Sequence, residues 1–242
     1  MFADPPPVIP APEPAPPRWT KGDVTLGILA IAGVLGLLVA VALVARPRGF
    51  VGGVLGTLAF EVALALVPLA LARRRGISLR ALGFVAPASW WSVLGIWLAT
   101  YVVLIGYAVL LAALDGAGVN VARFEGGNPV PLPRGASWPA VLGLGATVVL
   151  VAPVAEELYF RAFLFRAARP RLGVLAAALL SGVLFSLFHA NLAVVLPFAL
   201  VGALFAWGFE ASGSLWTSIV AHFLVNGAGF AATIAQLGGD GR

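Results

Sequence analysis

Apolar residues fall into long runs with almost no periodicity of their own. A bilayer core of about 30 Å takes about 20 apolar residues in helical form. Seven runs meet or approach that length: Val24–Ala45, Phe50–Ala72, Trp90–Leu114, Trp138–Ala168, Leu172–Ala190, Leu192–Phe209 and Leu215–Leu237. The fifth and sixth nearly touch, so their connection is very tight or one of them is re-entrant. The pattern predicts an all-α, polytopic transmembrane helix bundle of about seven spans, within a range of six to eight. Residues 1–18 are proline-rich without an apolar run and read as a disordered tail. A basic start leading directly into an apolar stretch is missing, so this tail does not read as a signal peptide. The chain divides into that tail, N-terminal transmembrane helices with an outside loop over 19–136, a helical core over 137–237, and a short tail over 238–242.

Composition agrees with lipid as the solvent. Of 242 residues, 61% are hydrophobic and 10% charged, against about 25% charged in soluble domains. Cysteine is absent, which excludes disulfides, thiolate metal sites and a cysteine nucleophile. The net charge of +5 lies on arginines that flank the apolar runs. That placement reads as membrane topology rather than nucleic-acid binding. With the N-terminus inside, nine basic residues fall inside (Arg18, Lys21, Arg73, Arg74, Arg75, Arg80, Arg166, Arg169, Arg171) and five outside (Arg46, Arg48, Arg123, Arg134, Arg242). The count predicts a cytoplasmic N-terminus in a cell membrane and places Asp115–Ala136 outside.

Ionisable groups inside spans are costly, so each is a functional candidate. They are Glu61, Glu156, Glu157, Arg161, His189 and His222, with Asn226 as a further polar group. At 100° per residue, Glu157 and Arg161 share a helix face, while Glu156 lies about 140° from Arg161. Glu157 is then neutralised and Glu156 left over, as suits a general base. The competing reading is one buried ion cluster that only joins helices. Phe185 and His189 are also four apart, so the ring can pack on the imidazole. His222 and Asn226 share a face in the last run. Either histidine alone reads equally well as a satisfied core residue. A hairpin with its apex near Pro170 puts Glu156 and His189 at depths of about 21 and 28 Å. Ser214, after Gly213, reads as the N-cap of the last helix, which puts His222 about 12 Å into it. Glu61, mid-run, pairs with another helix or lines a cavity.

Pro153–Arg161, Phe185–His189 and Gly213–Trp216 with His222–Asn226 together resemble the motifs of the CPBP (Abi) family, the CAAX-prenyl and bacteriocin-processing intramembrane endopeptidases. The resemblance covers about residues 138–230; the first three spans share only their apolar character. Ala162 stands where the family often has glycine, a packing position. The resemblance implies that Glu156 is the general base for a water also held by His189, and that His222 and Asn226 stabilise the oxyanion. Glu157 and Arg161 would hold the helix. It implies a membrane-associated protein or peptide as substrate, such as a C-terminal anchor, a prenylated end or a sorting signal, and no nucleic-acid partner. The family has been read as glutamic and as metallo proteases. Zinc would draw on Glu156, His189 and His222, but H-E-x-x-H is absent, which favours chemistry without a cofactor. A proton-coupled transporter is the alternative from another class, and it lacks two-halves symmetry here. A non-catalytic scaffold or immunity protein would be expected to have lost a catalytic position, and none is lost.

Overall fold

The computed structural model of the chain describes residues 18–45, 49–128, 130, 132–133 and 135–239. The expected proline-rich tail lies outside the described residues except Arg18, as do Arg46, Arg48, Arg134 and Arg242 of the topology count and residues 240–242. In hydrocarbon every backbone polar group must be satisfied within the segment, which leaves helices as the solution for these apolar runs. Among the described residues there is no strand. The helices are α1 Lys21–Ala45, α2 Phe50–Arg74, the short α3 Leu79–Leu82, α4 Trp91–Gly116, α5 Trp138–Gly145, α6 Ala152–Glu156, α7 Arg166–Phe188, α8 Val195–Ser212 and α9 Leu215–Gly239. Two π-helical stretches, Ala146–Val151 and Glu157–Phe165, join α5, α6 and α7 into one continuous run, and a 3-10 turn, Leu192–Val194, precedes α8. The chain is a multi-pass membrane protein. Leucines and valines such as Leu37, Leu43, Val102 and Leu175 face outward, and Trp90, Trp91 and Trp138 stand exposed at helix starts, the usual level of an aromatic belt.

By length and composition six helices suffice to cross a membrane, one of them the 51-residue run Trp138–Phe188. A straight helix of that length would be about 76 Å, more than twice the hydrocarbon core. It is not straight. Gly173 has φ 75° and ψ 174° and folds the run back on itself. Phe160 packs edge-on against Phe185 and Phe188 at 5.5 and 5.2 Å, and the Ser181 hydroxyl donates to the Phe160 carbonyl at 2.9 Å. The expected hairpin is present, with its break at Gly173 rather than near Pro170. Pro170 remains helical; glycine alone tolerates the positive φ of the turn. Glu156 is then 17 positions before the break and His189 16 after it, so their levels agree more closely than the Pro170 apex implied. The expected tail at 238–242 begins as helix, since α9 runs to Gly239.

One further expectation changes. Ser214 precedes α9, but its hydroxyl donates to the Val85 carbonyl. The Leu215 amide, in turn, donates to the Gly83 carbonyl at 2.8 Å, so the α3 turn holds the start of α9 in place of a local cap. At the other end of the chain, Trp19 is buried. Its indole N–H donates to the Ala162 carbonyl at 2.9 Å, and its ring meets Phe163 edge-on at 4.9 Å. Nothing in the spacing around Trp19 announces this contact, which spans 143 positions.

Helices α7 and α8 pack with backbones nearly touching. A Cβ on Gly182 would land on the Ala199 carbonyl oxygen, and one on Gly202 would sit 2.7 Å from the Gly182 Cα and 3.2 Å from Arg161 Nη2. Small residues that let helices approach are how membrane bundles gain packing without a hydrophobic driving force. Gly182→Ala meets rigid backbone, so the helices must separate, at a cost of about 1–3 kcal/mol or more. Its melting temperature and folded yield in detergent should fall. Gly106→Ala, where the Cβ meets open space, should leave both near wild type.

Candidate active site

The site begins with a helix that is locally too wide. In the first π stretch the Ala152 amide bonds the Thr147 carbonyl, five residues back. The same register assigns the Val148 carbonyl to residue 153, which is proline and has no N–H. That carbonyl is free, and the Asn226 side-chain amide of α9 donates to it at 2.9 Å. Pro153 and Asn226 are thus two halves of one contact. In the second π stretch, which ends with the Arg166 amide bonding Arg161, again five back, the Phe160 and Ala162 carbonyls are taken by Ser181 and Trp19. π-bulges of this kind recur at functional sites because they turn polar groups out of the helical ladder.

Glu157 and Arg161 form their i,i+4 pair inside the bundle, both fully buried, with Nη1 to Oε1 at 2.8 Å. Arg161 Nη2 donates to the Gly202 carbonyl at 3.0 Å, and its guanidinium lies 4.6 Å over the Phe185 ring and 5.4 Å over Phe205. Phe185 therefore has a second partner that its spacing to His189 did not reveal. The same Glu157 oxygen also holds His222 Nδ1 at 3.1 Å. Nε2 of that ring faces Glu156 Oε2 at 3.6 Å, an ionic contact longer than a hydrogen bond. Glu157 thus orients His222 as well as pairing with Arg161, a link between the first and third motifs that helix geometry alone does not supply.

His189 is the C-cap of α7 rather than a residue deep in a helix. Its amide bonds the Ser186 carbonyl, which leaves the Phe185 carbonyl open at the helix end. The His189 ring closes it, with Nδ1 3.0 Å away. A carbonyl only accepts, so Nδ1 carries the proton and Nε2 is left available. Phe185 and Phe198 flank the ring edge-on at 4.9 and 4.8 Å. Ala190 follows with φ 47°, a left-handed conformation that lets the chain turn directly after the imidazole.

Glu156, His189, His222 and Asn226 all line one cavity of about 600 Å³ between α2, α4 and α9, closed on one side by Asn128 and Val130 of the loop before α5. The Asn191 amide pins that loop through the Gly127 carbonyl at 2.8 Å. Glu61 lines the same cavity and also a second one, of about 620 Å³, toward α1 and α7, where Glu156 and His189 appear again. Of the two sequence readings for Glu61, the cavity one describes its position. Among the described residues no three His, Asp or Glu side chains are arranged to hold a metal ion.

Arg161→Ala would leave Glu157 charged and buried, at a cost of about 3–5 kcal/mol. Folded yield should drop along with activity. Glu157→Gln/Arg161→Met should recover part of that yield but not the activity, because His222 loses its anchor. Normal yield with lost activity in Arg161→Ala would place the guanidinium in the chemistry instead.

Comparison with known proteins concentrates on this same part of the chain. Residues 137–228 match the family described as Type II CAAX prenyl endopeptidase Rce1-like. A Bacillus subtilis (strain 168) protein named "Putative membrane peptidase YdiL" is 32% identical over 77 residues, which is 32% of this chain and 32% of that protein. The match spans only about a third of that relative's length. No solved structure matches the chain. The matched segment, 137–228, holds Glu156, Glu157, Arg161, Phe185, His189, His222 and Asn226, and over this part the chain is similar to the CAAX prenyl endopeptidases.

Proposed function

We propose that the protein is an intramembrane endopeptidase that hydrolyses a peptide bond of a membrane-associated protein or peptide, with Glu156 and His189 activating water. The convergence of Glu156, His189, His222 and Asn226 on one cavity carries this reading. Water held between the Glu156 carboxylate and His189 Nε2 loses a proton to Glu156 as its oxygen attacks the substrate carbonyl carbon. The oxyanion that forms meets N–H donors from His222 and Asn226. The Asn226 amide has two hydrogens, and only one is engaged by Val148, so the second is available. Preorganised donors in a low-dielectric site are worth more than in water. The C–N bond then breaks, and the proton on Glu156 passes to the departing amine, leaving a new carboxyl and a new amino end. No cofactor is needed for these steps. A substrate with a C-terminal anchor, a prenylated end or a sorting signal fits a site reached from within the bilayer.

In this scheme Glu156→Gln and His189→Ala insert and purify but do not turn over. Asn226→Ala lowers kcat by about 10²–10³. Its folded yield is read alongside, because Val148 also loses its partner. The assay is cleavage by purified protein in detergent, with bound metal counted by elemental analysis before and after chelation. Full activity at zero metal is the expected result; stoichiometric zinc lost together with activity would end the cofactor-free scheme. Wild-type turnover by Glu156→Gln would end the assignment of the base.

The same reading places the N-terminus in the cytoplasm of a cell membrane, from the excess of arginine on that side. A reporter fused after Arg75 should read cytoplasm and one inserted near Gly127 should read outside. The reverse pattern overturns this orientation.

A further inference from the structure

Resting on the peptidase reading, we propose that Glu61 forms a subsite for a cationic side chain, a lysine or arginine of the substrate next to the cleaved bond. Glu61 is 6% exposed, and its Oε2 is buried without a hydrogen-bond partner. Two other buried acids have a cation beside them: Glu157, whose Oε2 is likewise without a partner, has Arg161 and His222 on Oε1, and Asp23 has Arg75 at 2.8 Å. A buried carboxylate oxygen without a donor calls for an explanation, and Glu61 lines the cavity that holds Glu156.

The threonines that line the cavity with Glu61 add acceptors. Thr57 gives its hydroxyl proton to the Gly53 carbonyl at 3.1 Å, and Thr100 gives its own to Ile96 at 2.9 Å. Each therefore turns lone pairs, not a proton, to its surroundings. Glu61, Glu156, Thr57 and Thr100 together make an acceptor-rich surface, and among the described residues no lysine or arginine lines the cavity. An ammonium or guanidinium supplies what is missing: several donors and a positive charge, in charge-assisted hydrogen bonds about twice as strong as neutral ones. Thr57 lies one turn from Glu61 on the same face of α2, so a long basic side chain follows that face while its backbone stays at Glu156. Glu61 is a specificity residue in this arrangement and takes no part in bond breaking.

The test reads selectivity rather than total activity. Purified protein in detergent is given a chymotryptic peptide mixture, and the new ends are sequenced by mass spectrometry. Lysine and arginine should be enriched at one position beside the cleaved bond, by about tenfold over norleucine in matched synthetic peptides, and Glu61→Gln should bring that ratio to near one. A ratio untouched by Glu61→Gln, or no basic enrichment in the wild type, overturns the subsite. A separate binding arm uses the inactive Glu156→Gln protein. Octanoyl-Ala-Lys-Ala-amide and its norleucine counterpart are titrated by thermal shift. Tighter binding of the lysine probe that disappears in Glu61→Gln/Glu156→Gln supports the subsite even if the chain cleaves no peptide. Equal binding of the two probes overturns it whatever the chain's activity. Absence of cleavage by the wild type counts against the peptidase reading alone.

Discussion

One carboxylate oxygen organises the centre of this protein. Glu157 Oε1 receives both Arg161 Nη1 and His222 Nδ1, inside a bundle that offers no water to either. A charge in such a place is tolerated only when it is paired and hydrogen-bonded. Arg161 extends the pairing to the α8 backbone at Gly202, and His222 extends it to Glu156. Three segments of the chain are thus tied to one ion pair. Its removal would leave the imidazole without an orientation and the second glutamate without a neighbour. The stability of the bundle and the geometry of the reacting groups rest on the same contacts.

The arrangement depends on how closely the helices approach. Arg161 reaches the Gly202 carbonyl because neither Gly182 nor Gly202 has a Cβ to hold α7 and α8 apart. The helix that carries Glu156 and Glu157 is also widened on both sides of them. Side chains from α9, α7 and the start of the chain donate to carbonyls of this run at Val148, Phe160 and Ala162. Asn226 is fixed at the cavity by its bond to Val148 as much as by its place one turn after His222. Trp19 ties the N-terminal segment to the helix that carries Glu156 and Glu157.

The cavity divides its labour by polarity. Its lining carries N–H groups on His222 and Asn226 and acceptor oxygens on Glu61, Thr57 and Thr100. In the proposed scheme a carbonyl that gains negative charge meets the first group and a cationic side chain the second. Glu156 and His189 line this cavity and also border the one toward α1 and α7.

The residue pattern determined the class of fold and the membrane. Runs of about 20 apolar residues leave no other way to satisfy a backbone in lipid, and the spans were legible to within a few residues. Local periodicity also determined the Glu157–Arg161 pair and the contact of Phe185 with His189, because four residues make about one turn. Tertiary structure decided what lies beyond a turn. Gly173, not Pro170, makes the hairpin break, since the choice depends on a φ that spacing does not encode. Ser214 serves Val85 rather than its own helix, because α3 packs there. Trp19, 143 positions from its acceptor, and Glu61, facing Glu156 across a cavity, acquire their roles only from helices that meet in space. The bond from Glu157 to His222 belongs to the same group: each residue was visible as a polar group at a cost in the membrane, but that one oxygen holds two partners follows from α9 lying against a widened helix, a geometry no periodicity announces.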